Sequence, residues 1–341
     1  MSTDRVQNLF GATLQELERV VEGLALPPYA GRQLAGWLYG KNVVDFQEMT
    51  NMSRATRATL AARYTIARGA PLGAQRSVDG TVKYLFGVGE GTTVETALIP
   101  EGGRMTICLS SQVGCKMGCS FCATGAQHYH GSLDPGQILN QYASSPARAS
   151  VSNVVFMGMG EPLDNYAAVM QAIEVLTAGW GYGMSPRRIT VSTVGLLEPL
   201  RRFIRESPCH LAVSLHSPFQ AERARLLPAA RQVELRDLMA VLRQGDWRGQ
   251  RRLSFEYVLL HGVNDTARHA QGLGRMLRGM PALLNLIPYH AHAGASYQAP
   301  TSMQARWFLD AVQGEGLRAT LRATRGEDIA AACGMLSKTT N

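Results

Sequence analysis

After residue 100, short apolar runs alternate with amphipathic segments of helical period, and this alternation restricts the fold more than any other feature of the chain. The runs predict six strands, at residues 152–157, 188–194, 210–215, 253–260, 283–288 and 319–323. The segments predict six helices, at residues 134–142, 166–178, 197–206, 235–244, 267–278 and 303–315. Strands that alternate with helices pair in parallel, which predicts an α/β fold with a full or partial (βα) barrel. Functional side chains of such a barrel lie at the carboxyl ends of its strands.

The N-terminal part of the chain has a different pattern. Residues 12–24, 29–40 and 46–60 have helical apolar spacing, with Asn51 and Ser53 as candidate caps. The period then changes, and residues 81–86 and 94–99 are strand-like on either side of a glycine-rich turn. We therefore expect a small helical accessory domain at 1–75, a β-extension or linker at 76–100 and the barrel core at 101–341.

The composition narrows the class of protein. Hydrophobic residues make up 45% of the chain and charged residues 18%, which argues against a disordered or fibrous class. Because no apolar run approaches the ~20 residues of a membrane span, and the N-terminus has no secretory pattern, we expect a cytoplasmic protein without membrane association. The formal charge of +8 indicates an acidic partner, most commonly nucleic acid, although basic composition also occurs without one.

Three of the six cysteines are clustered as Cys115-x3-Cys119-x2-Cys122, which is not the spacing of a disulfide framework. A structural zinc site would need a fourth ligand, which His128 or His130 could provide. A [4Fe-4S] cluster normally has four cysteine ligands, so three would leave one iron open to a cofactor. The spacing alone leaves both interpretations open.

Polar and glycine residues follow several predicted strands. Gly160 and Glu161 lie in a glycine-rich turn that would let the backbone approach an amino acid, with Glu161 facing its amino group. Hydroxyl and imidazole groups at two further strand ends suit a ribose or a carboxylate. They belong to Ser192, Ser214 and His216, and we include Leu215, which lies between the last two, in the expected site. An ordinary βα turn or a helix cap would explain any one of them alone.

Together, these motifs resemble the RlmN/Cfr family of radical S-adenosylmethionine (SAM) enzymes, which methylate adenosine carbons in RNA. The resemblance covers nearly the whole chain, through the segments 31–39 (GRQLAGWLY), 46–53 (FQEMTNMS), 94–96 (VET), 110–115 (SSQVGC), 158–162 (GMGEP), 285–288 (NLIP) and 324–334 (TRGEDIAAACG). It implies a partial TIM-like barrel of the radical SAM type. It also implies a [4Fe-4S] cluster on Cys115, Cys119 and Cys122, with SAM bound at the open iron.

The resemblance further implies roles for three residues. Carbons 2 and 8 of adenine are not nucleophilic, so in this family one SAM methylates a cysteine and a second SAM supplies a radical that activates that methyl group. Cys333 corresponds to the methyl-carrying cysteine, and Cys108 to the cysteine that releases the RNA by forming a transient disulfide. Glu95 corresponds to the general base. A zinc-stabilised RNA-binding protein, the rival from a non-enzyme class, would leave Glu95, Glu161 and Cys333 unexplained.

The chain departs from the family pattern at two places. Residues 128–132 lack the arginine and asparagine usual there, and His290 replaces an asparagine that contacts SAM. Imidazole can still donate to a SAM acceptor, so we retain His290 in the expected SAM site. His290 and His292 could suggest a metal site, although two histidines in a segment rich in Ala and Gly are more often solvated.

We expect methylation of C2 of an adenosine in 23S rRNA, with tRNA as a second candidate substrate. Cfr-like C8 specificity is the alternative, and the sequence does not separate the two. Since ring carbons inside a duplex cannot be reached, we expect the adenosine to be flipped out. The cluster implies an electron-donor protein, and we expect a monomer.

Overall fold

The computed structural model describes residues 6–89, 91–291 and 296–337. Its N-terminal part consists of Gln7–Asn8 (β1), Leu14–Gly23 (α1), Tyr29–Ala35 (α2), Arg54–Arg63 (α3) and Tyr64–Thr65 (β2). Helix α1 begins in a capping box, because the side chains of Thr13 and Glu16 each accept the other's backbone N–H. Helices α1 and α2 pack together and bury Leu17 and Leu34.

The N-terminal helices differ from the expected ones in two respects. The helix expected at 29–40 continues after α2 as a π-helix, Gly36–Gly40. The helix expected at 46–60 is wrong in its middle, where a short 3-10 turn, Phe46–Glu48, is separated from α3. The reason is Ser53, whose extended backbone and side chain, which accepts the N–H of Thr56 at 3.1 Å, cap the start of α3. The cap that the sequence offered therefore begins a new helix.

The remaining elements form the core. Its strands are Gly73–Arg76 (β3), Val82–Gly89 (β4), Thr92–Glu101 (β5), Arg104–Cys108 (β6), Gln112–Val113 (β7), Gly131–Ser132 (β8), Asn153–Phe156 (β9), Ile189–Thr193 (β10), His210–Ser214 (β11), Leu253–Leu259 (β12), Ala282–Pro288 (β13) and Ala319–Leu321 (β14). Its helices are Pro135–Ala143 (α4), Tyr166–Thr177 (α5), Leu197–Glu206 (α6), Gln220–Leu226 (α7), Leu235–Arg243 (α8), Ala267–Leu277 (α9) and Ser302–Gly314 (α10).

Ten strands form one sheet, in the order β14-β13-β12-β11-β10-β9-β6-β5-β4-β3. Strand β6 and strands β9 to β14 are parallel, whereas β3 to β6 are antiparallel. The two edge strands do not pair with each other among the described residues, so the barrel is partial. The expected α/β partial barrel with an N-terminal helical region is thereby confirmed.

Each of the six expected strands and six expected helices is present within one or two residues of its predicted bounds. The sequence reading missed α7, which has only seven residues and a largely polar sequence, QAERARL. The antiparallel strands β4 and β5 continue the sheet of the core, and the division of the chain at residues 75 and 100 remains a prediction. No helix in the described ranges has both the length and the apolarity to span a bilayer.

Candidate active site

The three clustered cysteines lie in the loop between β7 and β8, over the carboxyl ends of the parallel strands. Cys115, Cys119 and Cys122 line a cleft of about 840 Å³, counted with its open mouth, which we call the cysteine cleft. The strands that line it contribute Phe156 from β9, Ser192 and Thr193 from β10, Ser214 from β11, Glu256 and Val258 from β12 and Ile287 from β13. The loop thus places its thiols where a parallel barrel places its chemistry.

The cysteine loop is tightly packed. A Cβ at Gly125 would lie 2.7 Å from the carbonyl oxygen of Cys119, so only glycine allows the chain to return this closely. The N–H of Cys122 donates to that same carbonyl at 3.1 Å. Cys119 and Cys122 are therefore held in one compact turn.

Burial decides the protonation of these thiols. It raises the pKa of Cys115 to about 12 and that of Cys119 well above its usual value, where mutual repulsion with Cys122 and Cys115 adds to the effect. Burial also raises the pKa of Cys122. Three half-buried thiols of this kind become thiolates only when a strong cationic centre replaces their protons.

The residues fit a [4Fe-4S] cluster better than a single ion. Within the described ranges, no group of three His, Cys, Asp or Glu side chains is arranged to hold one metal ion, and His128 and His130 do not line the cysteine cleft. Each thiolate of a [4Fe-4S] cluster binds a different iron, so the sulfurs must surround a space instead of meeting at a point. Three cysteines on the wall of one cleft satisfy that requirement.

The Gly160 and Glu161 turn forms another wall of the cysteine cleft. Gly160 has φ +98°, and a Cβ there would lie 2.5 Å from the Cβ of Gln112. The Glu161 carboxylate accepts the N–H of Leu163 at 3.0 Å and that of Val194 at 2.9 Å. Burial raises the pKa of Glu161 to about 7 despite these hydrogen bonds. Glu161 thus ties the turn after β9 to the turn after β10.

Of the remaining expected SAM-binding residues, Ser192, Ser214 and His216 line the cysteine cleft and Leu215 does not. The Nδ1 atom of His216 accepts the N–H of Val258 at 3.0 Å, and burial, together with the charge of Arg223, lowers the pKa of His216 to about 3. His216 is therefore a neutral imidazole whose proton is on Nε2. Leu215 is fully buried, and its N–H donates to the carbonyl of Glu256 at 3.0 Å.

His290 lies outside the cysteine cleft. It lines a separate cavity of about 440 Å³, shared with Arg322 and Cys333, and its Nδ1 lies 3.2 Å from the Glu327 carboxylate. The structure therefore places His290 in a cavity that Cys333 lines and Glu161 does not. His292 lies outside the described residues.

Cys333 lines the cysteine cleft and both smaller cavities of the site. It lines the cysteine cleft and also lines, with Cys108, a third cavity of about 480 Å³. Its segment is fixed to the cysteine loop, since the N–H of Ala123 donates to Gly334 O at 2.7 Å and the hydroxyl of Thr124 to Leu336 O at 2.5 Å. Cys108 and Cys333, which lie far apart in the sequence, therefore both lie beside the three-cysteine loop.

Cys108 and Cys333 are free thiols in this structure. Cys108 ends β6, and burial, followed by the proximity of Cys333, raises its pKa to about 12. The remaining cysteine, Cys209, is fully buried in the core, as expected.

Glu95 is buried but is not among the residues that line these three cavities. Its carboxylate lies 2.9 Å from the ammonium of Lys83 and accepts the N–H of Ser337 at 2.8 Å. Glu95 therefore contacts the segment that carries Cys333 without lining the cysteine cleft.

Sequence reasoning did not single out three charged residues of this region. Glu256 lines the cysteine cleft, and Arg322 lines both of the smaller cavities that Cys333 lines. Arg223 is buried beneath the ends of β10 and β11. A carboxylate inside the apolar run 253–260 was a usable signal for Glu256. Arg223 gave no such signal, because it occurs among other charged residues of α7.

Comparison with known proteins agrees with this geometry. Residues 109–270 match the family described as the Radical SAM superfamily, and residues 7–66 match the ribosomal RNA large subunit methyltransferase N-terminal domain. A crystal structure of a radical SAM methyltransferase from Sphaerobacter thermophilus has a TM-score of 0.91 and 38% identity, and the match covers 97% of this chain and 99% of that one. The fold and the three-cysteine loop thus define a radical SAM protein, whose cofactors are a [4Fe-4S] cluster and SAM.

Two curated relatives narrow the assignment. A probable dual-specificity RNA methyltransferase RlmN from Bacteroides fragilis is 50% identical over 96% of this chain and 96% of its own length. The dual-specificity RNA methyltransferase RlmN of Solidesulfovibrio magneticus is 42% identical, again with 96% of each chain covered. The chain therefore belongs to the RlmN family, and the zinc-stabilised RNA-binding alternative is wrong.

Proposed function

We propose that this protein is a radical SAM RNA methyltransferase that methylates C2 of an adenosine in 23S rRNA, with tRNA as a second substrate. The observation that carries the proposal is the position of Cys333, which lines the cysteine cleft on one side and the Cys108 cavity on the other. The dual specificity named for the relatives supports two RNA substrates.

Cys115, Cys119 and Cys122 would hold the cluster, and the cleft walls at Gly160, Glu161, Ser192, Ser214 and His216 would hold SAM. When bound, these groups supply the methyl group and the one-electron chemistry that an electron-poor ring carbon requires. His290 would contact the RNA substrate, because it shares its cavity with Cys333 and lies outside the cysteine cleft.

Cys333 would carry the methyl group on Sγ and become linked through it to the adenine. Cys108 would then release the RNA: its thiolate attacks the Cys333 sulfur and forms a sulfur–sulfur bond, the electron pair of the broken bond between that sulfur and the methyl carbon passes to the adenine, and the carbon takes up a proton to become the methyl group. The free-thiol pKa of Cys108, raised to about 12, requires that this cysteine lose its proton to a base during that step.

Glu95 would take the proton from the substituted ring carbon. Its carboxylate is bound by Ser337 in this structure, so the role requires that the C-terminal segment release it when RNA binds. We further propose that an electron-donor protein reduces the cluster, and that the chain acts as a monomer in the cytoplasm.

The test is anaerobic incubation of the iron-reconstituted chain with SAM, a reductant and unmodified 23S rRNA or tRNA, followed by nucleoside mass spectrometry. We expect 2-methyladenosine. The product 8-methyladenosine would support the Cfr-like alternative instead, and the absence of both products from both RNAs would contradict the proposal.

Three cysteine variants separate the proposed roles. Cys333→Ala should abolish methylation and leave the iron content unchanged, whereas Cys108→Ala should leave a covalent enzyme–RNA species on a denaturing gel. Cys209→Ala is the control, because Cys209 is buried in the core and lines none of the three cavities. Normal turnover by either active-site variant would remove that cysteine from the mechanism.

A further inference from the structure

Arg223 is an arginine whose surroundings do not neutralise its charge. It lies in α7 with no exposed surface, and its Nε and Nη1 atoms have no hydrogen-bond partner within the described residues. The neighbouring carboxylate, Glu222, is engaged by Arg268 at 2.6 Å and by His269 at 2.8 Å. No ion pair to Arg223 is formed in the part of the chain that the structure describes.

The one nitrogen of Arg223 that is satisfied binds the floor of the cysteine cleft. Its Nη2 donates to the carbonyl of Val194 at 2.6 Å and to that of Ser214 at 3.1 Å. The N–H of Val194 is held in turn by the Glu161 carboxylate. Arg223 therefore fixes the ends of β10 and β11, and it places a positive charge directly beneath the cleft.

Helix α7 also contacts the cysteine loop, since the N–H of Ser120 donates to the carbonyl of Leu226 at 3.0 Å. Burial lowers the pKa of Arg223 only to about 10. Arg223 still carries its proton at neutral pH. A buried cation without a counter-charge is costly, and an anionic cluster in the cysteine cleft would supply that counter-charge.

We propose that Arg223 is a positioning residue of the cluster site, whose buried charge beneath the cysteine cleft raises the reduction potential of the bound cluster. The inference rests on the proposed function, because it requires the cluster on Cys115, Cys119 and Cys122. Reduction adds one negative charge to the cluster, and a fixed cation in a medium of low dielectric favours the more negative state.

The test is a redox titration of the reconstituted full-length protein, with the electron paramagnetic resonance signal of the reduced cluster as the readout. Arg223→Met removes the charge, and we expect a midpoint potential more negative than that of the unmodified chain. Arg223→Lys retains the charge, and its potential should stay close to the original. Arg225→Met is the matched control, since Arg225 lies on the same helix but is exposed; its potential should not change.

An unchanged potential in Arg223→Met, with full iron content, would overturn the proposal. If that variant does not hold iron, the lysine variant decides: iron bound at the original potential supports the role of the charge, and loss of iron from it as well overturns that role. Failure of the unmodified chain to bind iron would overturn both this inference and the proposed function. RNA methylation with an unshifted potential would overturn this inference alone.

Discussion

Lys83 and Glu95 form an ion pair between β4 and β5 that offers a quantitative test of the site. The charged atoms lie 2.9 Å apart, and the side chains are only 8% and 2% exposed. Removing one partner of a buried pair costs about 3–5 kcal/mol, because the remaining charge keeps its desolvation penalty and loses the compensation that this partner supplied. We therefore expect Lys83→Met to lower the free energy of unfolding by about 3–5 kcal/mol.

The chain provides a matched control on the next hairpin. Arg104 and Glu101 are 3.1 Å apart with side chains 63% and 50% exposed, and a pair of this kind is worth about 0–1 kcal/mol. Anaerobic urea unfolding, followed by circular dichroism, should thus place Lys83→Met at least about 2 kcal/mol below Arg104→Met.

A second substitution tests the physical reason. Glu95→Gln in the Lys83→Met background removes the buried negative charge and keeps an oxygen that can accept the N–H of Ser337. The double variant should recover a substantial part of the loss. Equal destabilisation by Lys83→Met and Arg104→Met would refute the reasoning, and so would a double variant less stable than Lys83→Met.

Three further predictions concern the cleft and the C-terminal segment. Gly160→Ala should weaken SAM binding in equilibrium dialysis, because its Cβ would meet Gln112 at 2.5 Å; Gly183→Ala, also at positive φ but with nothing within 4 Å, should bind SAM normally. Because burial raises the pKa of Glu161 to about 7, its carboxylate ionises as the pH rises through 7, so SAM affinity should increase over that range in the unmodified chain. A Glu161→Gln variant that kept the same pH dependence would exclude this assignment. Asp328→Ala removes hydrogen bonds from the hydroxyl of Ser77 at 2.6 Å and the N–H of Val78 at 3.2 Å, each worth about 1 kcal/mol, and should speed amide exchange across residues 326–337. Unchanged exchange there would show that this contact does not hold the segment.

Much of the fold could be predicted from the sequence, because hydrophobic period is a local property. The run 210–215 and the strand β11 nearly coincide, since a buried parallel strand requires continuous apolar residues. Helix α7 was missed because its seven residues are largely polar, so no apolar period emerges. The error at 46–60 has a similar cause: a cap and a helix-compatible pattern coexist there, and the cap prevails.

The candidate site could be predicted in part, where its residues lie in short motifs. The three cysteines and the residues that follow β9, β10 and β11 were accessible, because motif spacing and strand ends fix their neighbours. Arg223 and the cavity of His290 were not accessible, because their contacts join different strands, helices and loops. The pairing of Glu95 with Ser337 is of this kind, and no local pattern encodes it.

The same long-range contacts bear on the order of the proposed steps. Cys333 already borders the cysteine cleft and the Cys108 cavity, so acceptance of a methyl group and closure of a disulfide both begin from positions close to those observed. Glu95 is different, because the N–H of Ser337 occupies its carboxylate and Lys83 neutralises it. If the proposed roles are correct, RNA must displace the end of the C-terminal segment before the ring proton can be removed. Proton removal, and not access of Cys333 to the cleft, is then the step that requires the segment to move.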